Sequence, residues 1–232
     1  MRIKLATWNL HRCIGRDGLM APERCAAVLQ EIDADIIALQ EVDSRPGHAD
    51  DMLAHLARKT GCSAIAGMTM VRRGVHYGNA LLTRLPVREV QHRDLSVPGR
   101  EPRIALDVEF EAAQHRLQMI ATHLGLRPAE RREQVKRLLP HFNIESNDVV
   151  VLAGDLNEWF LWGRPLRMLH RIFPDTPHRR TWPTTPPLFA LDRVWVHPRR
   201  ALRNLSVHRS AMTRITSDHL PLTAVIDFEA SF

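Results

Sequence analysis

Apolar and polar residues alternate in short blocks along the chain, and the period of each block predicts an element. Residues 3–8, 64–66, 80–83 and 87–94 read as strands. Two apolar runs, 35–40 and 149–153, read as strands buried in a core. Residues 103–110 and 116–122 read as a hairpin around 111–115, and 193–196, 205–208 and 220–228 as late strands. Residues 22–32 predict a helix with Pro22 near its first turn, where a missing N–H costs nothing. Residues 50–59 are amphipathic, 128–139 are rich in Arg and Glu, and 161–173 follow with Leu166, Leu169 and Phe173; all three predict helices. Strands dominate, helices interrupt them, and neighbouring strands look like hairpins. The expected fold is α+β, with mixed sheets packed on each other and helices outside, in one domain over residues 1–232.

Five apolar strands end in residues that a core does not favour. Asn9 and His11 follow 3–8, and Gln40, Glu41 and Asp43 follow 36–39. Thr122 and His123 follow 119–121, and Asp155 and Asn157 follow 149–153. Asp218 and His219 stand just before the last strand. Each alone has a plainer explanation: an Asx-turn, a solvated edge, a helix cap or a satisfied histidine. Five together point to a site, because strand ends on a rigid scaffold hold side chains in place. Hydrolysis of a phosphate ester needs such a set. Glu41 with Asp155 or Asp218, and Asn9 nearby, are hard oxygen donors suited to Mg²⁺ or Mn²⁺. A histidine can move a proton at neutral pH, and a carboxylate on its other nitrogen would fix its tautomer. Asp192, a lone acid in an apolar strand, would serve as that carboxylate.

The segments TWNLH, LQEVD, YGNALLTRLPV, ATHLG, GDLNEW, LDRVWV and SDHLP occur in this order between Thr7 and Pro221. Together they resemble the endonuclease/exonuclease/phosphatase superfamily of deoxyribonucleases, abasic-site endonucleases, neutral sphingomyelinases and inositol polyphosphate 5-phosphatases. The resemblance implies a four-layer α/β sandwich of two mixed sheets flanked by helices, and a Mg²⁺-dependent phosphoric ester hydrolase. It implies that Glu41 is the main metal ligand, with Asn9 beside it and Asp218 near the metal. Asp155 and Asn157 would orient the attacking water and bind the scissile phosphate, with Asp155 also at the metal. His219, paired with Asp192, would be either the base or a phosphate-binding group. His123 would bond a phosphate oxygen or help the leaving group. Asn79 would position loops and touch substrate.

Charge and composition bear on the substrate. The chain carries a net charge of +6, and Lys4, Lys59 and Lys136 are its only lysines. A basic balance suits phosphate-bearing partners, either nucleic acid or phospholipid headgroups. Arg72, Arg73, Arg100 and Arg103 precede or open strands and could track a phosphate backbone. Aromatic residues are only 6% of the chain, which leaves few stacking platforms for bases. A nuclease, a sphingomyelinase-like lipid phosphodiesterase and a non-catalytic phosphate-binding module all remain open. The block Trp159–Phe160–Leu161–Trp162 is expected to start a helix and lie partly in the core. One helix face cannot bury four consecutive residues, so at least one aromatic ring, Trp162 above all, is expected to face substrate. Cys13, Cys25 and Cys62 are odd in number without CxxC spacing, which fits a reducing cytoplasm. Residues 1–10 are too polar for a signal peptide and no run is long enough to span a membrane, so cytoplasmic placement with contact at a membrane surface is the expectation.

Overall fold

The computed structural model describes residues 1–230. The strands are β1 (Arg2–Asn9), β2 (Ile36–Ser44), β3 (Ser63–Arg72), β4 (Val75–Thr83), β5 (Val87–Asp94) and β6 (Ile104–Ala112). They continue with β7 (His115–His123), β8 (Val149–Asp155), β9 (Asp192–His197), β10 (Leu202–Val207) and β11 (Leu222–Asp227). The helices are α1 (Pro22–Ile32), α2 (Met52–Thr60), α3 (Pro128–Leu138), α4 (Arg164–Leu169) and α5 (Thr213–Thr216). One sheet has the order β10-β11-β1-β2-β4-β3 and the other β5-β6-β7-β8-β9. Each is mixed: β1 pairs parallel with β2 and β7 parallel with β8, and the remaining pairings are antiparallel.

Side-chain alternation on the strands explains the layering. On β8, Val149, Val151 and Ala153 enter the core between the two sheets, while Val150 and Leu152 face the other way, toward Leu138, Leu166 and Phe173. A strand covered on both faces needs a continuous apolar run, and β8 supplies one. On β1, Ile3 and Leu5 face the second sheet, whereas Ala6 and Trp8 face α1 and α2. The expected four layers are therefore present: helices, sheet, sheet, helices. Asp51 caps α2 by accepting from the Leu53 N–H at 3.2 Å, and Gly61 ends it at φ 66°.

The helix expected over 161–173 is shorter. It begins at Arg164 and ends at Leu169, with Pro165 in its first turn. The aromatic block before it lies outside the helix, and all four residues, Trp159 to Trp162, are exposed. Leu166, Leu169 and Phe173 are the fully buried core contacts of this segment, with Met168 and Ile172 packed against them. The expectation that the block is partly core is therefore corrected.

The pairing brings the C-terminal ends of β1, β2, β7 and β8 and the N-terminal ends of β9 and β11 to one edge of the sandwich: Asn9 lies opposite Gln40, His123 opposite Asp155, and Asp155 opposite Asp192.

Candidate active site

Asp155 ends β8, is 1% exposed, and is where the site converges. The preceding Gly154 has φ 142°, and a Cβ there would lie 1.8 Å from the Thr122 carbonyl oxygen. Only glycine permits β8 to approach β7 this closely, and that approach sets Asp155 beside His123. One oxygen of Asp155 accepts the Asn157 backbone N–H at 2.9 Å. The other accepts from Asn9 Nδ2 at 3.1 Å. The same Asn9 nitrogen donates to Glu41 Oε1 at 3.0 Å, so one amide ties two carboxylates from different sheets. Asn9 Oδ1 accepts the His11 N–H at 2.9 Å, which fixes the amide's orientation.

Glu41 does not follow the end of a strand but sits inside β2. The register with β4 shifts between Leu39 and Val42, and Glu41 takes φ 55°. A bulge of this kind re-aims a side chain, here toward the edge. Left-handed non-glycine residues cost about 1–3 kcal/mol each. Five of them, His11, Arg12, Cys13, Glu41 and Asn157, lie on the segments that build this edge. Burial raises the Glu41 pKa above the usual carboxylate range; the Asn9 hydrogen bond opposes this, and the charges of Asp155 and Asp218 add to it.

Two histidines flank Asp155 in opposite electrostatic settings. His219 Nδ1 meets Asp192 Oδ2 at 2.8 Å, and its Nε2 lies 3.7 Å from Asp155 Oδ2. Burial pulls its pKa down, but the charges of Asp192 and Asp155 outweigh this and hold it at about 10. The ring therefore carries a proton on Nδ1 and, at neutral pH, another on Nε2. His123 Nε2 lies 3.6 Å from Asp155 Oδ2, while its Nδ1 lies 3.1 Å from Arg103 Nη1. A guanidinium only donates, so His123 Nδ1 must accept, and the ring's single proton sits on Nε2. Burial and then the Arg103 charge push the His123 pKa down to about 3.

Glu41, Asp155 and Asp218 offer carboxylate oxygens, the donor type that a hard divalent cation takes, and the charges of Asp155 and Asp218 reach Glu41. Asp155, Asp192 and His219 form another grouping, with one candidate ligand atom from each inside a 4.8 Å span. A cation there would have to displace the 2.8 Å bond between His219 and Asp192. The carboxylate oxygens of Glu41, Asp155 and Asp218 are not gathered within that span, but a cation held by them would leave the charge-assisted bond intact.

A family model for the endonuclease/exonuclease/phosphatase family matches residues 6–219. The chain belongs to the endonuclease/exonuclease/phosphatase family. It is 32% identical to the uncharacterized protein YbhP of Escherichia coli K12, over 96% of this chain and 95% of that protein. Among solved structures it resembles an endonuclease/exonuclease/phosphatase from Beutenbergia cavernae, with TM-score 0.79 and 23% identity over 97% of this chain and 71% of that one. It also resembles D. rerio TDP2 complexed with a single-strand DNA product, with TM-score 0.73 and 17% identity over 97% and 99% of the two chains. Members of the endonuclease/exonuclease/phosphatase family are hydrolases of phosphoesters and are generally dependent on divalent metals.

Within this family frame, the structure gathers Asn9, Glu41, His123, Asp155, Asn157, Asp192 and His219 at one edge. Asp218 joins them through Trp182, whose Nε1 donates to Oδ2 at 3.1 Å, with His11 Nδ1 3.6 Å from Oδ1. Asn9 donates from its amide nitrogen to the two carboxylates, and its oxygen accepts the His11 N–H. Asn157 Nδ2 donates to the Leu124 carbonyl at 2.8 Å and so holds the loop after β7. Asn79 is buried and donates to the Ile104 carbonyl at 3.3 Å, tying β4 to the start of β6 in the other sheet. Arg103 is not a surface cation tracking a backbone: it is buried between His123 and Glu101. Trp162 is 70% exposed and lies obliquely against Phe160, with ring centroids 5.6 Å apart. The ring that reaches the site is Trp182, 6.4 Å from His219, with Trp159 5.1 Å from Trp182. Trp182 and the link between Arg103 and His123 were not legible as site features. The first stands in a proline-rich loop, and the second joins residues twenty positions apart.

Proposed function

We propose that the protein is a phosphodiester hydrolase in which Glu41, Asp155 and Asp218 hold Mg²⁺ or Mn²⁺. The observation that carries this reading is the single amide of Asn9 joining Glu41 and Asp155, with His219 and His123 both facing that same Asp155. When bound, the cation supplies charge neutralisation for the phosphate oxygens. The chain's own residues do the rest. Asp192 holds the Nδ1 proton of His219 and aims Nε2 into the site, where it donates to a phosphate oxygen and offsets charge developing in the transition state. Arg103 fixes His123 as a neutral Nε2–H donor on the opposite flank. Asp155, held by Asn9 and by the Asn157 N–H, is the acceptor between them and orients the attacking water.

The diester reading is separated from a monoesterase by which model ester the protein turns over. Turnover of bis-p-nitrophenyl phosphate with Mg²⁺ or Mn²⁺ should exceed that of p-nitrophenyl phosphate. A preference for the monoester would contradict the diesterase assignment. A module that merely bound phosphate would turn over neither, at any metal concentration.

A further inference from the structure

Twelve large apolar side chains are exposed among the described residues, and ten of them stand at the catalytic edge. Leu19 and Met20 follow β1, Val71 closes β3 beside the turn into β4, and Leu126 follows β7. Trp159, Phe160, Leu161 and Trp162 follow β8; Leu188 precedes β9, and Ile215 precedes β11. Only Val87 and Ile144 lie toward the opposite end, since Val87 pairs with Phe110 and Ile144 precedes β8. Scattered exposed apolar residues need no explanation, but a concentration around one edge does.

From this apolar rim we infer that the catalytic edge docks onto an anionic phospholipid surface and hydrolyses its diester there. The docking proposal rests on the hydrolase reading only for the chemistry performed at that surface. Seven of the ten side chains are aliphatic, and aliphatic groups offer no face on which a nucleobase stacks. They stand at the tips of six separate segments around the site instead of lining one groove, a distribution that suits a broad surface more than a strand of nucleic acid. Arginines complete the match: Arg16, Arg72, Arg73, Arg127, Arg164 and Arg214 are exposed on the same segments. None of these six makes an ion pair with another described residue. Trp, Phe and Leu with Arg around them is the composition that enters the boundary between headgroups and acyl chains. Trp159, at 4.7 Å from Phe189 and 5.1 Å from Trp182, links the rim to the ring beside His219. A headgroup phosphate drawn to the rim would thus meet the catalytic side chains without leaving the interface.

Vesicle sedimentation in EDTA tests the docking apart from the chemistry. The protein should sediment with vesicles of equimolar phosphatidylcholine and phosphatidylglycerol, less with phosphatidylcholine alone, and less as salt rises. Leu126→Ser and Phe160→Ser should each lower partitioning about tenfold. Both variants should keep the wild-type rate on soluble bis-p-nitrophenyl phosphate, which also shows that they fold. Failure to sediment with the anionic vesicles overturns the proposal, as does unchanged partitioning of the two variants. Binding of a single-stranded oligonucleotide that the same variants weaken, without vesicle binding, also overturns it and names nucleic acid instead. A protein that binds vesicles but cleaves no diester under any metal refutes the hydrolase reading and leaves the docking surface standing.

Discussion

His219 shows how single residues divide the chemistry at this edge. Asp192, with 0% exposure, has one oxygen on the ring, and the ring's second nitrogen looks at Asp155. A folded-state pKa of about 10 lies above the ordinary value near 6.5, so protonation favours the folded state. That contribution is complete below about pH 6.5 and disappears as pH rises through about 10. In metal-free protein, thermal unfolding followed from pH 6.5 to 10 should therefore show a downward slope that His219→Gln reduces; parallel slopes would contradict the assigned ion pair. Candidate residues were legible because Glu41, Asp155, Asp192 and His219 are charged or polar groups beside apolar strands. Their partners were less so. Arg103 immediately precedes β6 and His123 closes β7, and only the register that pairs Ala105 with Thr122 makes them neighbours. Sequence alone does not state a register.

Elements position these residues through two backbone irregularities, and both escape a reading by periodicity. The bulge in β2 turns Glu41 toward Asn9, and Gly154 lets β8 close on β7. A bulge leaves no compositional mark, whereas a glycine before an aspartate reads as a turn. Gly154→Ala tests the second device. The added methyl meets backbone, not a flexible side chain, and the φ is unfavourable as well. A loss on the order of 2 kcal/mol or more is expected by chemical denaturation, together with a fall in turnover as Asp155 shifts. Unchanged stability would mean that the approach of the two strands is not tight. The buried strands β2 and β8 were legible because burial on both faces demands an apolar run. The helix over 161–173 was not: large apolar residues before Pro165 look like a helix face, yet they stay exposed and Arg164 is where the helix begins. What looked like core is the largest part of the exposed rim.

For the whole molecule, two sheets bring six chain segments, far apart in sequence, to one edge with carboxylates at its centre and apolar and basic residues around it. Strand content and layering followed from patterning, and strand order did not, since β10 and β11 return to pair beside β1. No helix among the described residues is long and apolar enough to cross a membrane. In the proposed function, Glu41 and Asp155 act together with a divalent cation. Hydrolysis of bis-p-nitrophenyl phosphate by protein stripped with EDTA, before and after adding Mg²⁺ or Mn²⁺, tests that most directly. Wild type should be inactive when stripped and restored by the cation, and Glu41→Ala, folded by circular dichroism, should remain slower by about 100-fold or more at saturating metal. Turnover that survives EDTA, or a Glu41→Ala variant as fast as wild type, would contradict it.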